Sequence, residues 1–150
     1  MKIIIDADAS PVKDVAFGLA QEFGLDVVLV SSVSHFSSKA LPDFVRHVYV
    51  DSGADAADYK VVALARDGDV VVTQDYGLAA LLLPKGCIVV HHMGFEYTDK
   101  NIDQMLESRH FSGVIRRGGG RTKGPKPFID EDKVRFHEFF KGLIEREIDK

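Results

Sequence analysis

Residues 3–30 read IIIDADASPVKDVAFGLAQEFGLDVVLV, and this stretch decides the fold. It opens on three isoleucines, too apolar for the alternation of a half-exposed strand. A strand over 2–5, buried on both faces, is therefore expected. Ser10 and Pro11 carry the signature of an N-cap and a first helical position. Apolar residues at Val12, Val15, Ala16, Leu19, Ala20 and Phe23 follow helical spacing, and Gly24 stops the helix. A second apolar run predicts a buried strand over 27–30. Strand, helix and strand in direct succession predict parallel pairing. Between the first strand and its helix stand Asp6 and Asp8, two like charges that need compensation from elsewhere.

The same alternation continues outward. A polar loop over 31–42 leads to a strand over 45–50. Asp55 starts a second helix, with Val61, Val62, Leu64 and Ala65 apolar, that ends near Gly68. A strand over 70–73, a short helix over 78–83 ended by Pro84 and Gly86, and a strand over 87–90 follow. The expected architecture is a three-layer α/β/α domain around a mostly parallel sheet of about five strands. Thr98 can cap a helix through Leu106, with another short helix after it. Residues 116–128 form an irregular segment rich in Gly, Pro and basic residues. Asp130 caps a final helix that sets Phe136, Phe139, Phe140, Leu143 and Ile144 on one face. No internal repeat and no linker interrupt the chain, so a single domain over 1–150 is expected.

With 150 residues, 45% of them hydrophobic, the chain can bury a sizeable core. The apolar run before Asp6 is far shorter than a signal-peptide core, and no stretch approaches the ~20 apolar residues of a membrane span. The single cysteine, Cys87, sits in the apolar run CIVV and reads as a core thiol in a reducing compartment. A cytoplasmic protein with no membrane partner is expected; a homodimer is compatible with the composition. The net charge of −4 argues against generic nucleic-acid binding, but its distribution is uneven. From Arg109 to Ile129 there is no acid, while Arg109, Arg116, Arg117, Arg121, Lys123 and Lys126 carry +6. The rest of the chain carries −10.

Functional groups of an open parallel sheet gather outside the carboxyl ends of its strands. Three acidic clusters fall there: Asp6 and Asp8 after the first strand, Asp51, Asp55 and Asp58 after the third, and Asp75 after the fourth. Each acid has an ordinary reading as a turn or helix-cap residue. Their convergence on one edge is harder to explain that way. Mg²⁺ and Mn²⁺ take oxygen ligands and keep waters for a substrate phosphate, which suits an aspartate cluster to phosphodiester chemistry. Lys13 and the basic residues Arg116, Arg117, Arg121, Lys123 and Lys126 then become candidates for holding backbone phosphates. The segment GGGRTKG lacks P-loop spacing, and neither G-x-S-x-G nor G-x-G-x-x-G is present. His91-His92 has no spaced metal-binding partner and reads as structural or surface.

The motifs DADASPVK (6–13), GADAAD (53–58), VVTQDYGLA (71–79) and R-x-G-G-x-x-x-G-P-x-P-F (117–128) resemble those of the YaiI/YqxD family of uncharacterised bacterial proteins over nearly the whole chain. Members usually have Cys where this chain has Ser10, which argues against a required thiol and suggests a capping role. That family is in turn similar to PIN-like nucleases. The stretch from Asp58 to Asp75 resembles the PIN pattern of an acid opening a helix, then a strand, then T-x-D. The resemblance implies Asp6, Asp58 and Asp75 as metal ligands and catalytic centre, Asp8 and Asp55 as adjacent members of the metal site, Mg²⁺ or Mn²⁺ as cofactor, and nucleic acid, RNA ahead of DNA, as partner. A rival resemblance is to haloacid-dehalogenase-type phosphatases, where the first Asp of D-x-D-x-S attacks phosphorus and the second is the acid/base. Against it, Ser10-Pro11 starts a helix where that superfamily places a glycine and a flap. A third reading is a non-catalytic RNA-binding module.

Overall fold

The computed structural model describes residues 1–33, 40–51, 53, 55–117 and 127–150, with backbone alone for Ala9 and for 109–117. Strand β1 is Ile3–Asp6, helix α1 Lys13–Phe23 and strand β2 Val27–Ser32. Strand β3 (Val45–Val50), helix α2 (Ala56–Leu64), strand β4 (Val70–Val72) and helix α3 (Tyr76–Leu82) follow. Strands β5 (Ile88–His91) and β6 (Phe95–Glu96) precede the long helices α4 (Asp99–Arg117) and α5 (Asp130–Ile148). The sheet order is β3-β2-β1-β4-β5-β6. The first five strands are parallel, and β6 runs antiparallel to β5. A central, mostly parallel sheet between helical layers is the architecture expected. The sixth strand was not foreseen, because two residues carry no periodicity.

The isoleucine run explains itself in this sheet. Successive side chains of a strand point to opposite faces. Ile3 and Ile5 join Val27, Leu29, Val70 and Val72 under α1 and α5, packing on Ala16, Leu19, Phe136, Phe140 and Ile144. Ile4 goes to the other face with Val28, Val30, Val71 and Val89, against Val61 of α2, Leu78 and Leu82 of α3 and Ile102 of α4. All three isoleucines are fully buried. Burying a side chain of this size contributes about 2 kcal/mol. A polar residue in this run would therefore damage one layer or the other.

The helix ends depart from expectation in informative ways. Helix α1 begins at Lys13 with Val12 as its N-cap, so Ser10 and Pro11 stand before the helix rather than opening it. No side chain among the described residues caps this end with a hydrogen bond; the Asp14 carboxyl in the first turn is held below its ordinary value, chiefly by Lys133. Helix α3 begins earlier than expected because Asp75 caps it, accepting from the amides of Gly77 (2.8 Å) and Leu78 (3.3 Å). Helix α4 is one element where two were expected. Its internal Gly113 costs only about 1 kcal/mol relative to alanine, too little to break it. Thr98 caps it as foreseen, accepting from Asn101 N at 3.2 Å. Arg116 and Arg117 therefore belong to the last helical turn, where cations complement the helix dipole, and not to a loop. Asp130 is the first residue of α5; the capping carboxylate is that of Asp132, which accepts from Ile129 N at 3.0 Å. The remaining basic positions, Arg121, Lys123 and Lys126, lie outside the described residues.

Candidate active site

The sheet order places a topological switch between β1 and β4. From β1 the chain steps to β2 and β3 on one side, then crosses to β4 on the other. Connections diverge there, and the crevice at the carboxyl ends of the two strands is where open α/β sheets bind ligands. Asp6 ends β1, and Asp75 follows β4 by three residues. Strand alternation puts Asp6 on the Ile4 face, the side carrying α2 and α3. Asp58 lies in the first turn of α2 and Asp75 caps α3, so three separate elements deliver one carboxylate each. A cavity of about 360 Å³ is lined by Asp6, Asp8, Asp51, Asp55, Asp58 and Asp75, together with Ser32 and Gln74. All five acids predicted for the site, and Asp51, thus meet in one place.

Thr73 organises the cluster, although the sequence offered it only as a letter in T-x-D. Its hydroxyl donates to Asp6 Oδ2 at 3.0 Å and accepts from the Asp75 amide at 3.0 Å. One buried hydroxyl thereby couples the end of β1 to the turn after β4. Beneath it, the fully buried Tyr97 donates its hydroxyl to the Thr73 carbonyl at 3.1 Å. Burial, with Tyr76 and Asp75 nearby, pushes the Tyr97 phenol above its ordinary value, so it stays a donor.

The carboxylates act on one another. Burial, then the neighbouring Asp75, Asp6 and Asp55, push the Asp58 carboxyl up to about 6, and it shares a hydrogen bond with Asp75. Burial raises Asp6 as well; the Thr73 bond opposes that, and Asp75 and Asp8 add to it. Asp8 is exposed and takes the Ser32 amide on both oxygens at 3.1 Å, which ties it to the end of β2. Asp55 is exposed at φ 66°, and it is the sole non-glycine with positive φ among the described residues. Aspartate tolerates that conformation better than most residues, and such strain gathers at functional sites.

The donor set is all oxygen and mutually repulsive, which is the chemistry that suits a hard divalent cation. Among the described residues, no three His, Cys, Asp or Glu side chains are set to cage an ion by themselves. Mg²⁺ commonly holds to one or two carboxylates and keeps waters and substrate oxygens for its remaining positions. Asp6 with Asp75, backed by Asp58, are the residues that would hold it.

The other predicted residues lie apart. Lys13 is exposed and lines a separate cavity beside β3. The side chains of Arg116 and Arg117 are outside the described residues. His91 and His92 are structural in their contacts: His91 stacks on Phe95 at 4.8 Å and accepts from Met93 N at 2.9 Å, and His92 meets Phe128 edge-on at 5.5 Å. Burial and His92 push His91 down to about 4, so it is neutral near pH 7. Cys87 is buried as expected and contacts the Arg66 carbonyl. No helix among the described residues is long and apolar enough to cross a membrane.

Comparison with known proteins agrees with the motifs. A family model for the uncharacterised YaiI/YqxD family matches residues 4–146. A UPF0178 protein of Enterococcus faecalis is 55% identical over 148 residues, covering 99% of this chain and 100% of that protein. One from Bacillus cereus is 56% identical over 144 residues, covering 96% and 99%. Among solved structures, a mutant of Rae1 (YacP) from Bacillus subtilis aligns over 97% of this chain and 99% of its own, at 15% identity and a TM-score of 0.39.

Proposed function

We propose that this chain, which belongs to the YaiI/YqxD family, is a divalent-metal-dependent phosphodiesterase of PIN-like type acting on RNA. One observation carries the reading. Asp6, Asp58 and Asp75 arrive from three different elements at the switch point of the sheet, with Asp58 raised to about 6 by burial and then by its acidic neighbours. Six carboxylates line one cavity there. Mg²⁺ or Mn²⁺ would supply positive charge among them and polarise a phosphodiester.

The chain's own residues have distinct tasks in this reading. Thr73 holds the Asp6 carboxylate in place, and the Gly77 and Leu78 amides fix one oxygen of Asp75. Asp58, which lines the cavity beside Asp6 and Asp75, is the group assigned to take a proton from an attacking water. Asp8 and Asp55 add negative charge at the rim. Arg116, Arg117, Arg121, Lys123 and Lys126 draw in the RNA backbone.

The test is cleavage of single-stranded RNA by the purified chain with Mn²⁺ or Mg²⁺. The account expects cleavage that chelation abolishes and that Asp58→Asn lowers by ~100-fold or more. Metal binding without cleavage of any polynucleotide would leave the RNA-binding module standing. A stable beryllium fluoride adduct on Asp6 would instead favour the phosphatase reading.

A further inference from the structure

Ser10 does not do what its sequence position suggested. It caps no helix, and its Oγ is the one buried side-chain oxygen or nitrogen among the described residues that lacks a hydrogen-bond partner. Such groups are rare, and each costs about 1–3 kcal/mol unless something satisfies it. Ser10 also lines a cavity of about 430 Å³ on the α1 side of the sheet, distinct from the carboxylate cavity. That volume is in the range that accommodates small organic ligands. Its walls are apolar: Phe17 from α1, Leu29 from β2, and Leu41 with Pro42 from the segment before β3. Its polar groups are few. Lys13 contributes a cation, and Asp14, which also lines it, is neutralised by Lys133 at 2.8 Å. His47 is held through Nε2 by Ser31 Oγ at 2.5 Å and stacks on Tyr49 at 3.9 Å, while its Nδ1 has no partner among the described residues. Burial, with Lys13 nearby, lowers His47, so it is neutral near pH 7.

An apolar-walled cavity with two unused hydrogen-bonding atoms and one cation suits a nucleobase with its phosphate. The position supports the same ligand. Asp8 sits within the single turn Ala7–Ala9 and Ser10 follows it, Asp8 lining one cavity and Ser10 the other, and the Asp8 charge is felt at His47, so the two cavities are neighbours at that turn. We propose that this cavity binds a mononucleotide unit, with the base between the apolar walls, Ser10 Oγ and His47 Nδ1 on its polar edge, and Lys13 on its phosphate. This assignment rests on the phosphodiesterase reading, for which it is the subsite of the nucleotide next to the bond attacked.

The test uses the full chain in backbone-amide NMR titrations with adenosine and uridine monophosphates, ribose 5-phosphate and a short single-stranded RNA. The expected result is that nucleotides or RNA shift the amides of Ser10, Phe17, Leu29 and Leu41, and ribose 5-phosphate does not. Shifts with mononucleotides mark a free nucleotide as ligand; shifts with RNA alone mark a link of a chain; both support the site. Ser10→Ala should weaken that binding by ~5-fold or more, yet leave the thermal midpoint unchanged or higher, because the hydroxyl satisfies nothing in the free protein. A merely structural Ser10 would lower the midpoint. Lys13→Ala, at an exposed position, should weaken binding to nucleotides but not to nucleosides. Failure of every nucleotide and RNA to shift these amides, or unaltered binding by Ser10→Ala, overturns the assignment. If RNA cleavage persists in that case, the carboxylate reading survives; if wild-type protein neither cleaves nor binds RNA, that reading fails as well.

Discussion

At the amino-terminal edge of the sheet, just before β4, Asp69 is buried but surrounded by partners. Lys2 donates to it through Nζ at 2.5 Å and through its amide at 3.1 Å, and the Arg66 amide adds a third bond at 2.9 Å. Burial works against its charge, but those partners outweigh it and hold the carboxyl below its ordinary value. At the opposite edge Asp58 is partly buried, and burial, then Asp75, Asp6 and Asp55, move its carboxyl the other way, to about 6. The same residue type, around the same sheet, thus meets two environments: Lys2 and two amides hold Asp69 charged, whereas burial and like charges oppose the charge of Asp58. Perturbation by burial and like charges in a crevice is a pattern in which functional sites are enriched.

The comparison breaks most visibly at Asp69. Asp69→Ala strands Lys2 Nζ and two amides, and equilibrium denaturation should register a loss of ~2–3 kcal/mol. A loss well under 1 kcal/mol would mean that the ionic staple contributes nothing. Thr73→Val removes the hydroxyl that joins Asp6 to the Asp75 turn. It should cost ~1–2 kcal/mol of stability and weaken Mn²⁺ binding by 10- to 100-fold, as loss of a residue orienting a ligand does. Unchanged metal affinity would reduce Thr73 to a structural bridge.

Asp58→Asn should act in the opposite sense to Asp69→Ala. The native state holds an Asp58 proton that the unfolded chain has released, so this group lowers stability as pH rises from its ordinary value of 3.8 through about 6. Asp69 behaves inversely: its contribution is present above 3.8 and disappears as pH falls through its depressed native value. The gain from Asp58→Asn should therefore grow between pH 4 and 6 and level off above that, reaching about 1 kcal/mol once solvent screening is allowed for. Denaturation midpoints followed against pH would show it, and a gain independent of pH would contradict it. The smallest effect concerns the helix end. Arg116→Ala with Arg117→Ala should weaken RNA binding and flatten the slope of affinity against salt by about 1.4, the loss of two single-strand phosphate contacts. An unchanged slope would remove them from the interface.

Much of this was legible in the sequence because it depends on local rules. Continuous apolar runs such as Ile3–Ile5 can only be strands buried on both faces, and their alternation with helices sets a parallel sheet. The acids Asp6, Asp8, Asp55, Asp58 and Asp75 could be assigned to one edge because strand ends share a side. What escaped depended on contacts between distant residues. Thr73 looks like any strand-end threonine until Asp6, 67 residues away, receives its hydroxyl. The start of α1 was misplaced because Ser10-Pro11 offers capping chemistry that the chain does not use, the helix opening only at Lys13 after Val12. His47 gave no signal at all, since the cavity it lines is closed by residues from three separate segments.

The central claim is that the carboxylates at the switch point are arranged for a divalent cation. Isothermal titration of Mn²⁺ into the wild-type chain and into Asp75→Asn tests it most directly. Asparagine keeps the oxygen that caps α3, so the variant retains the helix and loses only charge. The account predicts binding to wild type that weakens by ~10-fold or more in the variant. Equal binding by the two proteins, or none by either, would contradict it.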